Sequence, residues 1–196
     1  MKPKHWYSYM WLWPVVYFSL GFFNILFAWL GIVEFMLPLL FAVFGGNKYF
    51  CNKLCGKGQL FALLKKTGNP APRWVSSRVF RYAFLAFFMV MFANVIYQTW
   101  LVYGGVRSLH ETVRVMWAFS VPFGWAYTAG TTSEWIAQFS FGLYGLMLTS
   151  EIIGLVVMMV WRPRTWCTFC PMGTMTQIIC ELKARKNKKD DEARRK

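Results

Sequence analysis

Three apolar stretches leave this chain little choice of architecture. They run from about Trp11 to Phe44, from about Tyr82 to Tyr103 and from about Trp135 to Trp161. Each meets the requirement of about 20 mostly apolar residues for crossing a bilayer. Hydrocarbon offers no partner to a free N–H or C=O, so such a stretch must bond its own backbone as a helix. The first stretch is long, yet two spans of at least about 17 residues and a turn do not fit within it. It reads as one long, tilted helix that begins near Pro14 and kinks at Pro38. Trp6, Trp11 and Trp13 would form an aromatic belt at its outer end. Lys2 and Lys4 precede it as in a signal peptide, but the run is too long and lacks an A-x-A-like exit, so it reads as an uncleaved anchor.

Charge sets the orientation. The chain is 57% hydrophobic and only 15% charged, with a net charge of +14. Its basic residues fall in blocks. Lys48, Lys53, Lys57, Lys65, Lys66, Arg73, Arg78 and Arg81 form one, and residues from Arg162 to Lys196 form the other. A nucleic-acid binder interleaves charge with apolar residues, whereas blocks beside apolar spans mark cytoplasmic loops. The expected place is the inner (cytoplasmic) membrane, with an outer N-terminus that only Lys2 and Lys4 oppose. The basic blocks would also attract anionic lipid or an acidic soluble redox protein such as a flavodoxin or ferredoxin.

Chemistry enters with two cysteine pairs, each just after a span and just before a short helix. The first is Cys51-Asn52-Lys53-Leu54-Cys55-Gly56, and the second is Cys167-Thr168-Phe169-Cys170-Pro171. Four thiolates from two such segments close a tetrahedral sulfur site, as iron–sulfur clusters and structural zinc require. A lone pair would read as buried thiols; two pairs at matching points of two similar modules point to a shared site. A disulfide is disfavoured in a reducing compartment. Zinc would act only as a brace, whereas helices leading straight to the site favour electron traffic. Pro171 also fits a Cys-Pro cluster turn. Cys180 reads as a packing residue.

The pattern resembles the membrane iron–sulfur proteins of the NapH/NosR type, in which two Cys-x-x-x-Cys-Pro-like motifs follow transmembrane helices on the cytoplasmic side. The likeness covers roughly Gly45–Leu64, the second span and Trp135–Ile179. Here Gly56 stands where that family has Pro, and the second pair is one residue closer. The resemblance implies a small electron-transfer protein tied to the quinone pool or to other membrane redox subunits.

A fourth apolar stretch, Val113 to Ala129, contains Pro122 and Gly124. Were it to span, the cysteine pairs would face opposite sides, so it is expected to be re-entrant or interfacial on the outer side. Glu34 and Glu151 each lie ten residues before the inner end of a span, about 15 Å deep. A carboxylate there costs about 2.5–3.5 kcal/mol and must be protonated, paired or set in a polar cavity. They form a candidate proton or quinone site, or else bond to each other or to Asn94 or Gln98 as interhelical glue. His110, with Arg107 and Glu111, is a candidate for an outer quinone or partner site, or a plain interfacial residue.

The expected fold class is therefore all-α. It is a polytopic membrane protein with three transmembrane helices, a re-entrant or interfacial segment, and short cytoplasmic helices after each cysteine pair. Residues 1–186 make one membrane domain, and 187–196 a frayed charged tail. The expected function is electron transfer through a [4Fe-4S] cluster on Cys51, Cys55, Cys167 and Cys170. Its rivals are a zinc-braced assembly subunit and a transporter built on Glu34 and Glu151.

Overall fold

The computed structural model describes residues 9–45, 50–64, 68–116, 118–121 and 132–194. Its helices are α1 (Leu12–Phe23), α2 (Leu30–Gly45), α3 (Gly56–Leu64), α4 (Arg78–Tyr103), α5 (Glu134–Val160), the single turn α6 (Trp166–Phe169) and α7 (Pro171–Arg194). A 3₁₀ segment, Ile25–Trp29, leads into α2, and a π-type turn, Phe50–Leu54, precedes α3. Three helical segments are long and apolar enough to cross a membrane: Ile25–Gly45, Arg78–Tyr103 and Glu134–Val160.

Helix α5 is the axis of the fold. Within its apolar window 61% of residues are buried, against 17% in α4, whose apolar side chains face outward. Small residues make this possible, because they let neighbouring backbones and rings approach closely. A Cβ on Gly142 would stand 2.6 Å from Val95 of α4, and one on Gly145 would stand 2.5 Å from the Arg114 carbonyl oxygen. Around them Phe35, Phe88, Met91, Phe141, Leu146 and Met147 close one apolar core.

The first apolar stretch is not one helix. Asn24 is extended (φ −150, ψ 122), and its side chain accepts a hydrogen bond from the Leu26 N–H at 3.0 Å, ending α1 and capping the 3₁₀ turn. The chain doubles back there, and the Tyr17 hydroxyl donates to the Ala28 carbonyl. Helix α1 has only 12 residues, about 18 Å, too short to cross. A length test that asks two full spans of the stretch overlooks a hairpin with one short arm. Pro38 lies within α2 as expected. The reversal brings the start of α1 to the cysteine end, since a Cβ on Gly56 would meet the Met10 carbonyl oxygen at 2.6 Å. The described N-terminal end therefore sits beside the first cysteine pair and not at the opposite end of the bundle.

Two details add to the expected picture. The fold is mostly helical, as expected, with one short addition: Arg114–Val115 (β1) pairs antiparallel with Phe119–Ser120 (β2). This hairpin packs against the middle of α5, where the Met116 N–H donates to the Thr149 hydroxyl. The remainder of the expected re-entrant segment, 122–129, lies outside the described residues, as do Trp6, Lys2 and Lys4. At the other end of the chain, the described residues of the charged segment are helical: α7 continues to Arg194. Ala184 and the Lys, Arg and Glu residues beyond it are good helix formers, and a helix already nucleated on the bundle extends through them at little cost.

Gly145→Ala is expected to lower stability by about 1–3 kcal/mol, because backbone and not a flexible side chain occupies the space. Gly45→Ala, with nothing within 4 Å of the added carbon, is the neutral control. Thermal unfolding of both variants in one detergent checks this.

Candidate metal centre

Both cysteine segments are shaped locally before they meet. In the π-type turn the Cys55 N–H donates to the Phe50 carbonyl at 2.9 Å, and α3 begins as the Gln59 N–H reaches the Cys55 carbonyl. The Gln59 side chain ties back to the Lys53 carbonyl at 2.6 Å. In the second segment Trp166 and Phe169 anchor the turn α6 against α4, with Phe84 5.6 Å and 5.1 Å from their rings. Cys170 is then non-helical (φ −49, ψ 129), the conformation required before a proline, and Pro171 opens α7.

The two segments converge. One cavity of about 450 Å³ is lined by Cys51, Cys55, Cys167 and Cys170. Gly58 lies between the pairs: a Cβ there would stand 3.5 Å from the Cys167 sulfur and 3.8 Å from the Cys55 sulfur. The Cys51 sulfur is 3.7 Å from the hydroxyl of Thr176, a buried residue of α7. Backbone N–H groups at the starts of α3 and α7 point at the sulfurs, Gly58 toward Cys55, and Gly173 and Met172 toward Cys170. Such donors favour negative charge on sulfur. The cysteines are free thiols, and Cys180 is not among those lining the cavity. Among the described residues no three His, Cys, Asp or Glu side chains close on one point tightly enough to hold a single metal ion.

Burial dominates the thiols' acidity. It raises Cys55, aided by Cys167, and raises Cys170 against the pull of the Gly173 N–H. Cys167 keeps one exposed face, yet burial of the sulfur and the nearby Cys170 push it up to about 12.

The predicted polar residues divide into two groups. Glu34 and Glu151 do share a region at the cysteine end, but Lys57 of α3, which sequence reasoning treated as one more topology charge, stands with them. Its ammonium is 3.6 Å from the Glu151 carboxylate and donates to the Ser150 hydroxyl at 2.9 Å. Burial opposes the charge on Lys57, but the carboxylates of Glu34 and Glu151 outweigh it and hold its pKa above the ordinary value. Glu34 and Lys57 line the cysteine cavity itself. One Glu34 oxygen, Oε2, is buried without a hydrogen bond.

Asn94 and Gln98 are not the partners of these acids. They line a separate cavity of about 260 Å³ with Arg107, His110 and Gln138. There Gln98 accepts from Arg107 at 2.6 Å, and Gln138 accepts from the His110 N–H at 2.9 Å. Sequence reasoning also missed Arg81, Thr176 and Gln177, whose helical positions carry no motif. Lys57 had one signal, its place two residues after Cys55, which keeps it near the thiols.

A thiol held above its unfolded value stabilises the fold below that value, and the contribution is lost as pH rises through the folded one. Metal-free protein should therefore lose thermal stability from about pH 9 upward. Alkylation of Cys167, followed by mass spectrometry, should stay slow until the pH nears 12. No protein-family model, curated protein or solved structure matches the chain, so the site is read from its own geometry.

Proposed function

We propose that this chain is a membrane-bound electron-transfer protein. In this reading Cys51, Cys55, Cys167 and Cys170 hold a [4Fe-4S] cluster at the cytoplasmic face of the inner membrane. The observation that carries it is the convergence of two sequence-remote thiol pairs on one cavity bordered by two helix starts. The donor set fits the group: four thiols, a glycine whose missing side chain leaves space, and backbone donors aimed at sulfur. A zinc ion with bonds of about 2.3 Å would draw its four sulfurs into near contact. Thiols spread around a cavity suit a larger polynuclear centre. The likeness of the motifs to the NapH/NosR type supports the same assignment.

Such a cluster, when bound, gains and loses single electrons. The chain's own residues set the terms. The N–H groups of Gly58, Met172 and Gly173 stabilise negative sulfur, and the Lys57 ammonium offsets charge from one side. Trp166, Phe169 and Phe88 limit water. Glu34 and Glu151 offer a proton site beside the centre. The second cavity, with Asn94, Gln98 and His110, offers polar groups for a quinone head at the other end of the bundle. The basic cysteine face suits an acidic soluble partner.

Anaerobically purified protein should be brown, bleach with dithionite, and contain iron and sulfide in equal amounts. Cys51→Ser and Cys167→Ser should each lose nearly all of both, because the two pairs share one centre. Stoichiometric zinc without sulfide, or iron retained in either variant, would overturn the assignment.

A further inference from the structure

Arg81 and Gln177 face two spaces at once. They border the cysteine cavity on one side and, on the other, a groove of about 540 Å³ between the start of α4 and α7. Arg78, Arg185 and Tyr82 also line that groove. We infer that it is a binding site for the phosphate of an anionic phospholipid, with Arg78, Arg81 and Arg185 as the phosphate ligands. The site is independent of any metal at the cysteines.

Charge is the first support. Three arginines face a single carboxylate, Glu181, and that carboxylate already accepts from the Gln177 side-chain amide at 2.8 Å. Among the described residues none of these arginines forms an ion pair with an acid. The first turn of α4 has no acidic residue, and Ser77 caps it through the Phe80 N–H at 3.2 Å. The positive end of a 26-residue helix thus adds to the arginines' field.

An unmet donor is the second. Arg81 gives one guanidinium N–H to Gln177, while its Nε is buried and has no acceptor. A buried donor left unpaired is costly, and a planar guanidinium is well matched to a phosphate with two free oxygens.

Position selects the lipid. Arg78 begins a helix long and apolar enough to cross a membrane, so the groove opens where headgroups lie. Next to it, Tyr82 is 51% exposed and Val79 80% exposed, leaving an apolar surface for an acyl chain below the charged rim. Basic pockets between membrane helices bind anionic headgroups in this way. A free phosphate or an acidic protein would use the arginines but not the apolar surface.

The test is lipid titration of the intact protein in neutral detergent, read by native mass spectrometry and thermal shift. Phosphatidylglycerol should bind and raise the melting temperature, whereas phosphatidylcholine should not. Arg78→Gln and Arg185→Gln should each weaken binding about fivefold, and the pair more than either alone. Arg107→Gln, at the far cavity, should leave binding unchanged. Arg185 is exposed on α7, so that variant reports even if Arg78→Gln folds poorly. Equal binding of the two lipids, wild-type affinity in Arg185→Gln, or the same shift from inorganic phosphate or an acidic peptide would overturn the assignment.

Discussion

Both cysteine segments rest on one missing side chain. At Gly154 of α5 a Cβ would lie 2.6 Å from the Phe61 ring of α3 and 3.5 Å from the Trp166 ring of α6. Phe61 is fully buried and Trp166 nearly so, and they belong to the same apolar cluster with Val157, Met158 and Phe169. The helix after the first cysteine pair and the turn carrying the second are thereby seated side by side on α5. Residues far apart in sequence come together because one helix offers a flat place for two aromatic rings. Packing, and not the cysteines themselves, does the gathering. This suits a centre whose ligands must be in place before anything binds, since pre-formed geometry lowers the cost of closing a site.

Such a seat has an electrostatic cost. Bringing α3 against α5 carries Lys57 into the bundle, where an isolated ammonium would be strongly disfavoured. The same contact supplies the remedy: Glu151 and Ser150, on consecutive positions of α5, meet it within 3.6 Å and 2.9 Å. The Ser150 hydroxyl in turn donates a hydrogen bond to the Met147 carbonyl, so the lysine's acceptor is itself held in place. Buried pairs of this kind add little net stability, but removing one partner strands the other. The acids and the lysine are best understood as one unit that fixes how α3 sits.

How much of this could be read from the residues depends on the range of the forces involved. The second and third spans were legible because burial in lipid is a local demand, met by composition over a few turns. Their observed limits, Arg78–Tyr103 and Glu134–Val160, lie within a turn or so of the expected ones. The cysteine pairs were legible as matching modules, and all four side chains line one cavity. The hairpin was not. Asn24 stands in an uninterrupted apolar run, and only the contacts of Tyr17 with Ala28 and Gly31 across the turn make its extended backbone worthwhile. Likewise, Glu34 and Glu151 share a depth with one another but not with Asn94 and Gln98. Which residues share a depth follows from how helices are staggered, and no periodicity within one helix records that.

The stagger has a consequence for what can cross the bundle. The cysteine cavity is floored by Phe88 and Met147, and the second cavity by Met91 and Leu146. Phe88 and Met91 are one turn apart on α4, and Leu146 and Met147 are neighbours on α5, all at most 5% exposed. Among the described residues these four buried apolar side chains therefore stand between the two polar spaces. Water and ions meet hydrocarbon there, which penalises a charge heavily. On the proposed reading, an electron moving between partners at the two ends is not bound by that penalty in the same way, since no ion need enter the layer. On the proposed reading, the partition keeps protons taken up at Glu34 or Glu151 on the cysteine side.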